Sequence, residues 1–118
     1  MLNWVSGRLP ERDRAVLSDP EVAQVVADSF AESARLGTRG GEWELTLLSN
    51  PWGFRLGRIG MPVRLWHGLL DITVPPAMAR YVAQTIPACR ATFYCGEGHF
   101  SLARHHMAEI LADLVPPS

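Results

Sequence analysis

The sequence predicts an α/β fold, a partial doubly wound parallel sheet preceded by a helical segment. Three observations predict it. Two short apolar runs, Val63–Trp66 and Ala91–Tyr94, read as strands. Between them lies a helical pattern long enough for a crossover, and a strand, a crossover helix and a second strand make a βαβ unit with parallel strands. Before residue 58 there are helix signals and irregular links, and no clear strand. The chain divides accordingly into residues 1–58, helical, and residues 59–118, alternating strand and helix.

Taken in order, Pro10–Leu17 holds a short helix. Asp19-Pro20-Glu21 starts a longer one, because Asp19 is a capping residue and proline suits the first helical position. Val22, Val25, Val26, Ala27, Phe30, Ala34 and Leu36 recur at helical spacing, and Gly37 is a stop. Gly40-Gly41 punctuates again. Trp43–Leu48 fits a short helix or a strand, and the pattern does not decide. Asn50-Pro51 and Gly53 mark a turn. The first strand follows Met61-Pro62, and its outgoing loop is His67–Asp71. A helix starts near Pro75-Pro76 and runs through Ala79, Tyr81 and Val82 to Ile86. The second strand leads into Cys95–Phe100. Ser101 is placed to cap the last helix, which carries Leu102, Met107, Ile110, Leu111 and Leu114 and ends at Pro116-Pro117.

Composition narrows the function classes. Hydrophobic residues are 47% and charged residues 19%, which fits a globular chain and excludes a disordered one. All eleven basic residues are arginine, scattered among twelve acidic ones, so no nucleic-acid footprint forms. No apolar stretch approaches the ~20 residues of a membrane span, and no signal peptide is evident, so the expected location is cytoplasmic. Cys89 and Cys95 are expected to be buried free thiols. With His99 and His105 they have no metal-ligand spacing, and Gly96-x-Gly98 lacks the context of a phosphate loop. No metal and no cofactor is expected.

Two polar residues stand out by position. Asp71 lies just past the first strand and His99 just past the second. Ligands of open parallel sheets bind outside the carboxyl ends of the strands. On neighbouring strands about 4.8 Å apart, an Asp carboxylate reaches a His ring. There it fixes the tautomer and stabilises the imidazolium, making the His a general base. Gly68, Gly96 and Gly98 offer tight or left-handed turns around them. The competing assignment is a structural histidine and a loop-capping aspartate. His67 reads as structural. His105-His106, being adjacent on a helix, are expected to face different directions.

Two strands alone make a poor sheet, with both edges open and faces needing cover, so the pattern looks like one side of a larger sheet. The segment Pro62-Val63-Arg64-Leu65-Trp66-His67-Gly68-Leu69-Leu70-Asp71-Ile72-Thr73-Val74-Pro75 resembles the α/β-hydrolase segment at the seventh strand. Gly96-Glu97-Gly98-His99-Phe100 resembles the loop after the eighth. The resemblance implies that residues 61–118 form the last two strands and helices of such a fold, with Asp71 the triad acid and His99 the base. Residues 20–60 resemble a helical cap, with Trp43, Trp52 and Phe54 as candidates for an apolar wall.

The departure from the family is the nucleophile. No G-x-S-x-G elbow occurs, and Ser6, the nearest serine, lacks the preceding strand and glycine. In this family the nucleophile precedes acid and base, so it is expected upstream of Met1, as Ser, Cys or Asp. Two functions follow from the resemblance. One is the carboxyl-terminal part of a hydrolase acting on small apolar esters, inactive alone and completed by a missing amino-terminal portion. The other is a non-catalytic module that binds itself, as a homodimer, or another partner.

Overall fold

The computed structural model describes residues 8–115. Helix α1 is Glu11–Leu17, α2 is Pro20–Ala34 and α3 is Arg39–Ser49. A 3-10 turn at Leu56–Arg58 leads to strand β1, Val63–Gly68. Helix α4, Pro76–Thr85, crosses to β2, Cys89–Tyr94, and α5, Ser101–Leu114, follows. The architecture is mixed α/β, several helices with a small two-stranded parallel sheet.

Local chemistry explains most boundaries. The Asp19 carboxylate accepts the Glu21 N–H at 3.0 Å, and Pro20 occupies the first turn of α2. Beyond its end Gly37 adopts φ 95°, a left-handed conformation that suits glycine, and donates to the Ala34 carbonyl. The ambiguous Trp43 segment is helical. A second positive-φ glycine, Gly53, turns the chain after α3. The strands pair in register from Val63 opposite Cys89 to Gly68 opposite Tyr94. Strand β2 therefore begins two residues earlier than the apolar run suggests.

Packing is uneven. The buried apolar residues among those described are Leu9, Val16, Ala79 and Ile86. Leu9 precedes α1 and Val16 lies on it, while Ala79 lies on α4 and Ile86 at its end. Neither α2 nor α3 contains a buried residue. The helical periodicity of α2 is present, yet its apolar side chains Val25 and Phe30 lie open, as do Trp43, Leu45, Leu47 and Leu48 of α3. The chain exposes 9287 Å², where a folded monomer of this mass exposes about 6,400 Å². Among the described residues no helix is long and apolar enough to cross a membrane.

Candidate active site

The carboxyl ends of β1 and β2 emerge side by side, since Gly68 pairs with Tyr94. Their loops are then laced together. Leu69 N–H donates to the Tyr94 carbonyl and Leu70 N–H to the Glu97 carbonyl, each at 2.9 Å. Gly68 is required by this approach. A Cβ there would overlap the Glu97 and Gly98 carbonyls, which are backbone and cannot yield. Its φ is not positive, so close contact rather than a left-handed turn selects glycine; the same holds at Gly98.

Asp71 is 6% exposed and its carboxylate is fixed from both ends. One oxygen accepts the Thr73 and Val74 N–H groups, both at 2.8 Å, in a turn made by its own loop. The other lies 2.9 Å from Nδ1 of His99. A carboxylate only accepts, so Nδ1 carries the proton, and in the neutral ring Nε2 then carries the lone pair. The sequence-predicted acid and base are thus brought together, 28 residues apart in the chain. The His99 side chain is 38% exposed. Among the described residues no hydroxyl or thiol bonds to its ring. His67 lies nearby, with Nε2 3.0 Å from the Val74 carbonyl and 3.9 Å from Asp71, and it steadies the loop.

Sequence reasoning missed the residues behind this pair. Asp13, on α1, is 0% exposed. Its Oδ2 accepts the His99 N–H at 2.9 Å, and its Oδ1 accepts the N–H groups of Phe100 (3.1 Å) and Ser101 (2.9 Å). These N–H groups at the start of α5 have no partner within the helix, and an anion is favoured there. Ser101 therefore does not cap α5 as expected. Its hydroxyl instead accepts the Gly98 N–H at 2.8 Å, and an aspartate from another helix takes the capping role. A Cβ on Gly98 would collide with that carboxylate.

Beside it, Glu97 is 2% exposed and forms an ion pair with Arg12, the neighbour of Asp13. His105 Nδ1 approaches at 3.1 Å and His106 Nε2 at 3.4 Å. The two adjacent histidines reach one carboxylate despite the angle between them on the helix, a correction to the divergence expected. Burial alone would raise the Glu97 carboxyl. Hydrogen bonds from Ser101, His105 and Arg12, with the Arg12 charge, outweigh it and lower the pKa to about 2. On the exposed side, Tyr94 donates to Glu109 at 2.7 Å. That bond, then desolvation and the nearby carboxylate charge, push the phenol up to about 12.

Other expected features lie elsewhere. Cys89 is part-exposed and Cys95 exposed, so the expectation of buried thiols is corrected; β2 is an open edge and leaves both near solvent. Trp52 and Phe54 pack 5.9 Å apart and line a hollow of about 1010 Å³ with Leu56, Ile59 and Tyr81. Neither Asp71 nor His99 borders it, and Trp43 lies on α3 away from it. Ser6 and Pro116-Pro117 fall outside the described residues. No group of three or more His, Cys, Asp or Glu among the described residues is arranged to hold a metal ion. Comparison with known protein families, with curated proteins and with solved structures finds no match to this chain.

Proposed function

We propose that this chain is a non-catalytic, self-associating α/β module that retains an acid–base pair of the α/β-hydrolase type. One observation carries the association: α2 and α3 contain no buried residue, and although Val22, Val26 and Ala27 of α2 are half-buried, Val25, Phe30 and the apolar side chains of α3 stand exposed. Val25, Phe30, Trp43, Leu45, Leu47 and Leu48 are each more than half exposed, a set of large apolar side chains of the kind that anchors an interface. The occupant is a second copy. Both signs of charge stand beside the apolar side chains of α3, with Arg39 in the same helix as Glu42 and Glu44. Such a surface is complementary to itself across a two-fold axis. A net charge of −1 leaves little repulsion between copies. Sedimentation equilibrium tests this. A species of twice 13.1 kDa at micromolar concentration is expected. A monomer across the accessible range contradicts it.

A second reading is favoured by the Asp71–His99 geometry. The proton on Nδ1 points at a carboxylate and the lone pair on Nε2 points away from it, the disposition a general base needs. In this reading Asp71 and His99 serve a nucleophile from another polypeptide segment, in hydrolysis of small apolar esters by acyl transfer and deacylation. His99 takes the nucleophile's proton and passes it to the leaving group, then takes one from water and delivers it to the nucleophile as the acyl group departs. Asp71 holds the ring throughout. The chain by itself is expected to give no ester hydrolysis that His99→Ala abolishes. His99-dependent hydrolysis that appears only when a segment carrying a nucleophile is supplied favours this reading, and hydrolysis by the chain alone that disappears in His99→Ala would overturn the non-catalytic proposal.

A further inference from the structure

We infer that Asp13 is a positioning residue for His99, delivered to the base by α1 from the opposite end of the chain. The inference rests on Asp71 and His99 being the acid–base pair, and it adds a third residue to that site.

A histidine ring is placed by two things: where its backbone is, and what the ring touches. Asp71 supplies the second, through Nδ1 at 2.9 Å. Asp13 supplies the first. Its carboxylate accepts the N–H of His99 and of the two residues after it, at 2.9, 3.1 and 2.9 Å, from a position with no solvent exposure. Other bonds hold the first half of the turn between β2 and α5, through the Glu97 side chain and its carbonyl, and Asp13 holds the half that carries His99. The residue preceding α5, Phe100, makes no side-chain cap, and Ser101 is engaged with Gly98. Four consecutive residues, Gly98–Ser101, thus meet Asp13 by contact or hydrogen bond. The absence of a side chain at Gly98 is what admits the carboxylate. The neighbouring Arg12 reaches the other side of the turn and pairs with Glu97, so α1 grips the turn with two successive residues of opposite charge. The Asp13–His99 contact spans 86 residues. It couples the helical part of the chain to the base directly, with no intervening group.

A purely structural cap and a positioning residue differ in what they do to the ring. The probe is the Nδ1–H proton of His99, read by NMR on the full chain. While the Asp71 bond persists, the proton is held against exchange with water and resonates downfield of the amides. Asp13→Asn keeps the side-chain shape but replaces one accepting oxygen with a donor facing backbone N–H groups. The expected result is loss of the His99 resonance in Asp13→Asn, with the circular dichroism and the cooperative melt retained. Ser101→Ala, which removes a different hydrogen bond in the same turn, is expected to keep the resonance. A resonance unchanged in Asp13→Asn overturns the inference, and so does its equal loss in Ser101→Ala, which would mark a general loosening of the turn. The underlying reading has its own arm. If the wild-type resonance is absent, or survives Asp71→Asn, the acid–base pair itself is wrong, whatever Asp13 does. Should Asp13→Asn not fold, Asp13→Glu is read in its place. It keeps the charge but lengthens the side chain by one methylene. Displacement or loss of the resonance then supports the inference, and an unmoved resonance overturns it.

Discussion

The turn before α5 and the α2–α3 pair make opposite use of the same chain. Around the turn, Asp13, Glu97 and Ser101 are completely or nearly buried, and no buried side-chain polar atom among the described residues lacks a hydrogen-bond partner. Along α2 and α3 nothing is buried, and large apolar side chains face outward. One region is a polar lattice with satisfied donors and acceptors. The other is apolar surface without cover. The difference teaches where each gets its stability. Buried carboxylates hold because each has several donors, and loss of one donor set leaves a charge stranded. The helices hold by local capping and side-chain pairs, such as Gln24 with Asp28 and Arg35 with Glu32, which are worth only tenths of a kcal/mol each. In the proposed reading their remaining stabilisation comes from association.

The largest contrast is a glycine substitution made in both regions. Gly68→Ala drives a Cβ into the Glu97 and Gly98 carbonyls and is expected to destabilise by ~3 kcal/mol or prevent folding. Gly41→Ala, in α3 where nothing lies within 4 Å, is expected to stabilise by roughly 0.5–1 kcal/mol. Urea unfolding of both variants checks this, and equal effects would erase the distinction between the regions.

The next effect concerns association. Trp43 is 65% exposed on α3, beside Leu47. Trp43→Glu with Leu47→Glu places two charges in the apolar face and is expected to weaken the dimer by about 100-fold or more, some 2.7 kcal/mol. Sedimentation velocity reads the change. An undiminished dimer would move the interface elsewhere, to the open edges of the sheet.

A smaller effect is the acid dependence of the polar lattice. Glu97 is held at about 2 against an ordinary 4.5. A depressed carboxylate contributes stability that is present above the unfolded value. That contribution is lost as pH falls from about 4.5 towards 2. Because Arg12 is 57% exposed, screening reduces the contribution to on the order of 1–2 kcal/mol. Glu97→Gln is expected to flatten the stability profile over that window, as measured by thermal melts across pH. A wild-type slope retained in the variant would assign the dependence to other carboxylates.

The smallest is Tyr94→Phe, which removes an exposed bond to Glu109 and is expected to change stability by less than about 0.5 kcal/mol. It also removes the phenol that ionises near 12, so ultraviolet titration of wild type and variant locates that group.

The order of elements was readable in the sequence because local signals agree. Asp19-Pro20 announces α2, Pro75-Pro76 announces α4, and the two apolar runs announce the strands. The meeting of Asp71 with His99 was readable too, because parallel neighbouring strands put their outgoing loops on one edge. Three things were not. Trp43–Leu48 fits either period over so short a length, and the helix was decided by its continuity with Arg39–Gly41. Asp13 sits among Arg12, Arg14 and Glu11, where charge alone reads as a solvated face; only the tertiary fold shows three N–H groups pointing at it. The apolar stripe of α2 was readable as a helix face but its exposure was not, since periodicity reports that a face is apolar and not what covers it.

The most direct test of the account is amide hydrogen exchange followed by mass spectrometry in dilute and concentrated solution. Peptides from α2 and α3 are expected to gain protection as concentration rises, while those from β1, β2 and the Gly98–Ser101 turn are equally protected in both. Protection of α2 and α3 that is independent of concentration, with the chain monomeric throughout, would contradict self-association through these helices.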